Sequence, residues 1–571
     1  MIPMTVRKSK SARRAPAAAA RKAEAEPSRD LLADGLLGIE TIAHQRRFVT
    51  LPEALALLAQ DEVTSFTALQ AHQHHGWHAF LVQLAALALH RSGRDSPRLK
   101  AGAWREILES LTEHREAWFL VVPHLKRPAF MQPPVPEGTL DDFNDPQACS
   151  DEIDVLVTSK NHDVKAAKVV APRPEHWVYA LVTLQTMEGF SGRDNYGIAR
   201  MNSGTGSRSI IGLSSSASLG KRFLRDVSVL LEARDGIAAE RGYASSGGIP
   251  LLWCEPWDGE KSLGLKRLDP LFIEVCRRVR LVGEGGAILL RRKTTKCQRI
   301  LAGELKGNTG DPWMPVNHKE AKAFTATEAG FSYRVLQRLL SSEEFALAPA
   351  MRPRHGEKDV LLLATVLARG NGKTGGFHHR ALPVPGQVTG LLRRAGDHTQ
   401  LGRIAAERVE LVSIVQNRVL RPALKVLLQG GPEKLKQDDD RPDAWVHAHD
   451  AMVDGVFFER LWADLERDPR RLRSRLGEAR ARTRPRPAGF GVRRGPHPVR
   501  AQIPRHRRRR PRVWRGRPEP RSRCLPRRTG VRTCSMKPPP SRPRRSERWF
   551  IALQRPSHGR SLRGIWQRCA G

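Results

Sequence analysis

The stretch Val360 to Thr374 (VLLLATVLARGNGKT) runs an apolar segment into Gly-Asn-Gly-Lys-Thr. These are the residue types with which a loop cradles phosphate, since glycines expose backbone N–H groups and a lysine supplies charge. The spacing fails for a nucleotide-hydrolysing P-loop. That loop needs a glycine where Leu367 stands, and Gly375 and Gly376 interrupt the helix whose N-terminus would hold the phosphate. Two readings remain. One is a flexible loop in which Arg369, Asn371, Gly372, Lys373 and Thr374 approach a nucleic-acid backbone, with His378, His379 and Arg380 close behind. The other is the tip of a surface hairpin.

A second constellation runs from Gly189 to Gly197 (GFSGRDNYG) and from Arg200 to Arg208 (RMNSGTGSR). Glycines such as Gly189 and Gly192 let a backbone come close to a groove or phosphate, while Ser191, Asn195, Arg200 and Asn202 supply donors beside Phe190. A glycine-rich loop alone is a weak signal. His72, His74, His75 and His78 cluster without Cys, Asp or Glu in ligand spacing, so they read as solvated or core histidines rather than a metal site. No paired carboxylates, G-x-S-x-G or H-E-x-x-H arrangement is present, and no catalytic residue emerges.

Both loops need rigid elements behind them. Periodicity predicts buried helices over Leu51 to Gln60 and Trp77 to His90, and an amphipathic one over Trp104 to Glu113. Short strands are predicted at Ala117 to Val122 and Ala287 to Leu290. Pro136 to Asp151 is acidic and rich in turn formers, which predicts an exposed, mobile loop. Glu175 to Met187 is helical and stops at the glycine run. Residues 31–396 thus read as one large mixed α/β body. From Thr399 the pattern is wholly helical, with Leu401 to Leu428 and Ala444 to Leu465 joined across Gly430-Gly431-Pro432. Such a pair is antiparallel, leaves an apolar stripe uncovered, and calls for two more helices. Residues 397–467 are therefore read as the first half of a helical bundle.

The 571 residues, 40% hydrophobic, allow a large core. A net charge of +38 would argue for a nucleic-acid partner, but residues 471–571 hold 31 Arg and one Lys against three Glu, which leaves the body only mildly basic. That tail also holds 14 Pro and shows no apolar periodicity, so it cannot build a packed core. A selected phosphate-binding tail would use Lys as readily as Arg. The near-absence of Lys points to translation out of frame of a GC-rich gene over residues 468–571. Residues 1–30 read as a disordered basic arm or as translation from an upstream start codon. Seven Cys with no C-x-x-C give neither a disulfide framework nor a zinc ribbon, and they fit a reducing cytoplasm. With no run of about 18 apolar residues, no membrane span is expected; no metal or cofactor is expected either.

Five segments in order resemble one family, CasA, the large subunit of the type I-E CRISPR Cascade complex. They are Arg127 to Gln132 (RPAFMQ), Val155 to Lys165 (VLVTSKNHDVK), Leu184 to Asn202 (LQTMEGFSGRDNYGIARMN), Glu304 to Pro315 (ELKGNTGDPWMP) and Arg369 to Arg380 (RGNGKTGGFHHR). The resemblance spans about Leu31 to Arg467. It implies an α+β fold, with a large mixed α/β N-terminal domain followed by a C-terminal four-helix bundle of which two helices are intact here. It also implies a non-enzymatic role in antiviral defence, in which the chain recognises the protospacer-adjacent motif in double-stranded DNA, opens the duplex for guide RNA and docks the helicase-nuclease. The implied partners are the other Cascade subunits, guide RNA, target DNA and that nuclease.

Residue by residue, the family's glycine loop that enters the minor groove is matched by Gly189, Phe190, Ser191 and Gly192. Its wedge is matched by Asn371 to Thr374, with Gly372 and Lys373 where other members carry Gln. The lysine that contacts the motif is matched by Lys296 or Lys306. The loop that touches guide RNA or a neighbouring subunit is matched by Lys160, Asn161 and His162. Some members carry a zinc-binding Cys cluster, which this sequence lacks. Two readings outside the family stay open: a nucleotide-binding enzyme built on Gly372-Lys373-Thr374, and a generic basic nucleic-acid binder driven by the tail.

Overall fold

The computed structural model describes residues 29–467 except 154, 156–170, 202–203, 205, 342–343, 371–372, 394–396 and 435–439. The chain starts with an antiparallel sheet of β1 (Leu37–Thr41), β2 (Arg46–Val49) and β3 (Val63–Phe66), in the order β2-β1-β3. Helix α1 (Leu51–Ala59) joins β2 to β3. It begins where Thr50 and Glu53 close a reciprocal capping box with Pro52 in the first turn. Helix α2 (His74–Arg91) is apolar around most of its circumference and is accordingly buried along most of its length. Helix α3 (Ala101–Glu109) buries one face through Trp104, Ile107 and Leu108. Helix α4 (Pro174–Met187) lies close to α2, since a Cβ on Gly76 would stand 2.8 Å from Met187 Cγ. Trp77, Trp104, Trp118, Trp177, Trp253 and Trp313 all lie in this first core.

Strand β4 (Ile210–Ser214) separates two cores by simple alternation: Ile210 belongs to the first, and Ile211 and Leu213 to the second. After it come helix α5 (Leu219–Arg241) and the parallel pair β5 (Ile249–Leu251) and β6 (Leu268–Ile273). The hairpin of β7 (Arg278–Glu284) and β8 (Ala287–Lys293) follows. That hairpin turns on Gly285 and Gly286, both at positive φ as a two-residue loop requires. Beyond it lie three two-residue strands, β9 (Val316–Asn317), β10 (Lys322–Ala323) and β11 (Phe345–Ala346), with helix α6 (Tyr333–Leu340). The second core is then closed by β12 (Val360–Gly370) and β13 (Lys373–Val384), whose sheet runs β13-β12-β4 with every neighbour antiparallel.

Helix α7 (Gly386–Arg393) leads to α8 (Asp397–Ile414), which continues through a π-helical stretch, Val415–Leu420, into α9 (Arg421–Gln429). Gly430, at φ 78°, caps that run, and α10 (Asp443–Arg467) returns. Phe457, Phe458, Leu461, Trp462 and Leu465 pack into the second core beside Leu401, Ile404, Leu336 and Leu339. On the outer side Leu411, Val415, Val419 and Leu427 of one run, and Trp445, Met452 and Val456 of the other, are exposed. Among the described residues nothing covers this stripe.

Two expectations change. Ala117 to Val122 is not a strand: a 3-10 turn, Arg115–Trp118, leads into an irregular segment whose backbone is satisfied piecemeal by Arg29, Leu31 and Phe130. The segment from Pro136 to Asp151 is acidic as read but is laid onto the β7–β8 hairpin rather than standing free. Leu140 and Phe143 are buried, Gln147 pairs with Leu290, and Glu137 and Asp142 hold Arg278 and Lys293. No helix among the described residues is long and apolar enough to cross a membrane.

Candidate nucleic-acid interface

The end of α4 sets the site. Inside the helix the Gln185 amide is fully used: its nitrogen donates to the carbonyls of Met131 and Arg277, and its oxygen accepts from the backbone N–H groups of Cys276 and Arg277. The helix stops at Glu188, and the chain folds back as a lobe laced by its own backbone. Gly189 N–H donates to Gly206, Phe190 N–H to Gly204, Ser191 N–H to Asn195 and Ile198 N–H to Glu188. Gly189 and Gly197 are required at the neck. A Cβ on Gly189 would stand 2.3 Å from the Gly206 carbonyl oxygen, and one on Gly197 would stand 2.3 Å from the Gly189 carbonyl carbon. At the tip Gly192 takes φ 125° with open space around it, while Ser191 and Arg193 are exposed.

Glu188 ties this lobe to the hairpin. One carboxylate oxygen lies 3.1 Å from Arg369 Nη1 on β12, and the other lies 3.0 Å from Arg277 Nη2. Arg277 in turn donates to the Gly189 carbonyl and to Ser191 Oγ. All three charged side chains are almost wholly out of solvent, so each needs the others. Burial depresses the Arg277 guanidinium, but the Glu188 charge outweighs it and leaves the group above its ordinary value.

Lys373 opens β13 at the hairpin tip, opposite Gly370, and its ammonium sits on Glu328. A strand and not a helix starts there, so no helix N-terminus stands behind Lys373 as a nucleotide-hydrolysing P-loop requires. Thr374 pairs with Arg369 across the ladder, and Arg380, further along β13, forms an ion pair with Asp454 of α10.

Lys296 and Lys306 flank the lobe. Thr295 N–H donates to the Asp194 carbonyl and the Tyr196 hydroxyl donates to the Lys296 carbonyl, which places Lys296 beside the tip. Its exposed ammonium, paired with Glu260, is raised above the usual lysine range by that bond. Lys306, at φ 48°, is exposed near the neck, where a Cβ on Gly307 would stand 2.9 Å from the Arg200 carbonyl oxygen.

Two candidates depart from the expectation of solvent-facing donors. Arg200 is buried, 3.3 Å from Glu274, donating to the Phe272 carbonyl and lying over the Phe272 ring. Burial pushes its guanidinium down and the Glu274 carboxyl up, as expected when two charges leave water together. Arg369 is committed to Glu188. Both position the loops instead of presenting charge. Asn202, Asn371, Gly372, Lys160, Asn161 and His162 lie outside the described residues, as does the proposed out-of-frame segment 468–571. In α2 His75 is buried and His74 and His78 are half-buried, and among the described residues no group of three His, Cys, Asp or Glu could hold a metal ion.

Sequence reasoning missed Glu188, Arg277, Glu260 and Glu328. Glu188 had a signal: a carboxylate at a helix C-terminus opposes the macrodipole and calls for a cation nearby.

No family model and no curated protein matches the sequence. Solved structures do. CasA of Thermus thermophilus matches with a TM-score of 0.50 at 14% identity, over 77% of this chain and 87% of that one. A chain of a CRISPR RNA-guided surveillance complex gives 0.50 at 14% identity, over 76% and 89%. Cse1 of Acidimicrobium ferrooxidans gives 0.48 at 17% identity, over 79% and 92%. The fold of this chain is the CasA (Cse1) fold.

Proposed function

We propose that this chain, built on the CasA fold, is the large subunit of a type I-E Cascade complex, a non-enzymatic protein that reads a short motif in duplex DNA and starts strand opening beside it. The observation that carries the reading is Glu188, which joins a narrow glycine lobe to a lysine-tipped hairpin. A lobe whose glycine tip stands in open space fits a minor groove, whose sparse code suits a short, tolerant motif. On this reading Lys373, at the tip of that hairpin, belongs to the wedge that pries the duplex apart, while guide RNA pairing reads the long sequence. Docking of the helicase-nuclease and contact with guide RNA through Lys160, Asn161 and His162 belong to the same proposal.

The test is a gel shift of guide-RNA-loaded Cascade lacking its large subunit, with and without this chain, on matched duplexes carrying an intact or scrambled motif. Motif-dependent binding conferred by the chain supports the reading. Equal binding to both duplexes, or failure to join the complex, overturns it. Deleting residues 471–571 separates the generic basic binder, whose sequence-independent binding would collapse with the tail.

A further inference from the structure

Two lysines, one on the hairpin and one beside the glycine lobe, share an arrangement. Lys373 Nζ lies 2.5 Å from Glu328 Oε1, and Lys296 Nζ lies 2.6 Å from Glu260 Oε1. Each carboxylate comes from a different loop and is set in place by more than side-chain reach. The Glu328 stem lies over Gly375, where a Cβ would stand 2.5 Å from Glu328 Cγ. The Lys296 N–H donates to the Gly259 carbonyl, so the loop bearing Glu260 is stitched to the loop bearing the lysine. All four side chains are more than half exposed, at 52% and 56% in one pair and 79% and 55% in the other. Pairs this wet add little to stability, so each can be broken at small cost.

We propose that Glu328 and Glu260 are built-in competitors for the DNA backbone, each occupying its lysine with a carboxylate that a phosphate must displace. The inference rests on the DNA-reading function above. A carboxylate oxygen on an ammonium makes the same charge-assisted contact that a phosphate oxygen makes. Displacing it lowers affinity for every duplex alike, because phosphates carry no sequence information. Only duplexes that add base-edge contacts are then held long enough to be opened.

The test uses the guide-RNA-loaded complex carrying this chain, with Glu328→Gln and Glu260→Gln read by titration on motif-bearing and scrambled duplexes. Each variant is expected to tighten binding to both duplexes by the same factor, roughly two- to fivefold, leaving their ratio unchanged. Glu113→Gln, at an exposed carboxylate outside the lobe and the hairpin, controls for added net charge and is expected to change nothing. The Glu328→Gln gain should vanish in a Lys373→Ala background, and the Glu260→Gln gain in Lys296→Ala. Wild-type affinity in both variants, a gain matched by Glu113→Gln, or a gain that survives loss of the lysine overturns the proposal. If wild type binds both duplexes alike, the motif-reading function fails, while the competition can still be read on either duplex.

Discussion

Arg369 of the hairpin and Glu188 at the end of helix α4 meet at 3.1 Å with both side chains almost wholly buried, and Arg277 closes the other side of the same carboxylate. The lobe and the hairpin are therefore joined through a single carboxylate that faces two guanidinium groups.

Glu188→Gln keeps the shape of that joint and removes its charge, leaving two buried guanidinium groups facing each other. A loss of about 3 kcal/mol is expected, with loss of motif-dependent binding. Urea unfolding measures the first and the duplex titration the second. A variant as stable as wild type would show that the joint is not held by charge.

Lys373→Ala removes an exposed charge and should leave stability within about 0.5 kcal/mol. Duplex binding should weaken evenly across sequences, and the slope of log affinity against log salt should fall by about one. Unchanged binding would remove Lys373 from the interface.

The two glycines of the lobe should behave differently. Gly189→Ala drives a Cβ into backbone carbonyls and cannot be relieved by a side-chain rotation, so the neck must open. Gly192→Ala meets no atoms and carries only the strain of φ 125°, roughly 1–3 kcal/mol. Thermal unfolding of both variants tests the order, Gly189→Ala being the more damaging.

Burial lowers the imidazoles of His74, His75 and His78 to about 4, 3 and 4, from an ordinary value of 6.5. The unfolded chain then binds more protons than the folded one between those limits. The stabilisation is full above pH 6.5 and is lost as pH falls toward 4 and 3, at about 1.4 kcal/mol per pH unit for each histidine. A denaturation series from pH 7.5 to 4 should show this decline, and His78→Gln should flatten it, though Asp226 then loses its 2.9 Å partner.

The helices were legible because burial on one face, or on all faces, leaves a periodic trace: Leu51 to Gln60, Glu175 to Met187 and the C-terminal pair fall within a few residues of their observed bounds. Ala117 to Val122 misled because an apolar run of that length is equally the sequence of a buried irregular segment, and only long-range partners such as Phe130 decide. The glycine lobe and the hairpin were each readable from residue types. Their junction was not, since Glu188, Arg277 and Arg369 are distant in sequence and a lone charge carries no mark of its partner. Arg200 looked like a free donor for the same reason.

The exposed stripe formed by Leu411, Val415, Val419 and Leu427 with Trp445, Met452 and Val456 also bears on the handling of the chain. Exposed apolar side chains of this size favour association as molecules are concentrated, so crowding among copies bears on solubility alongside net charge. In a cell the same surface is what holdase chaperones and quality-control proteases inspect, and the abundance of the chain will follow how quickly that stripe finds a lasting cover.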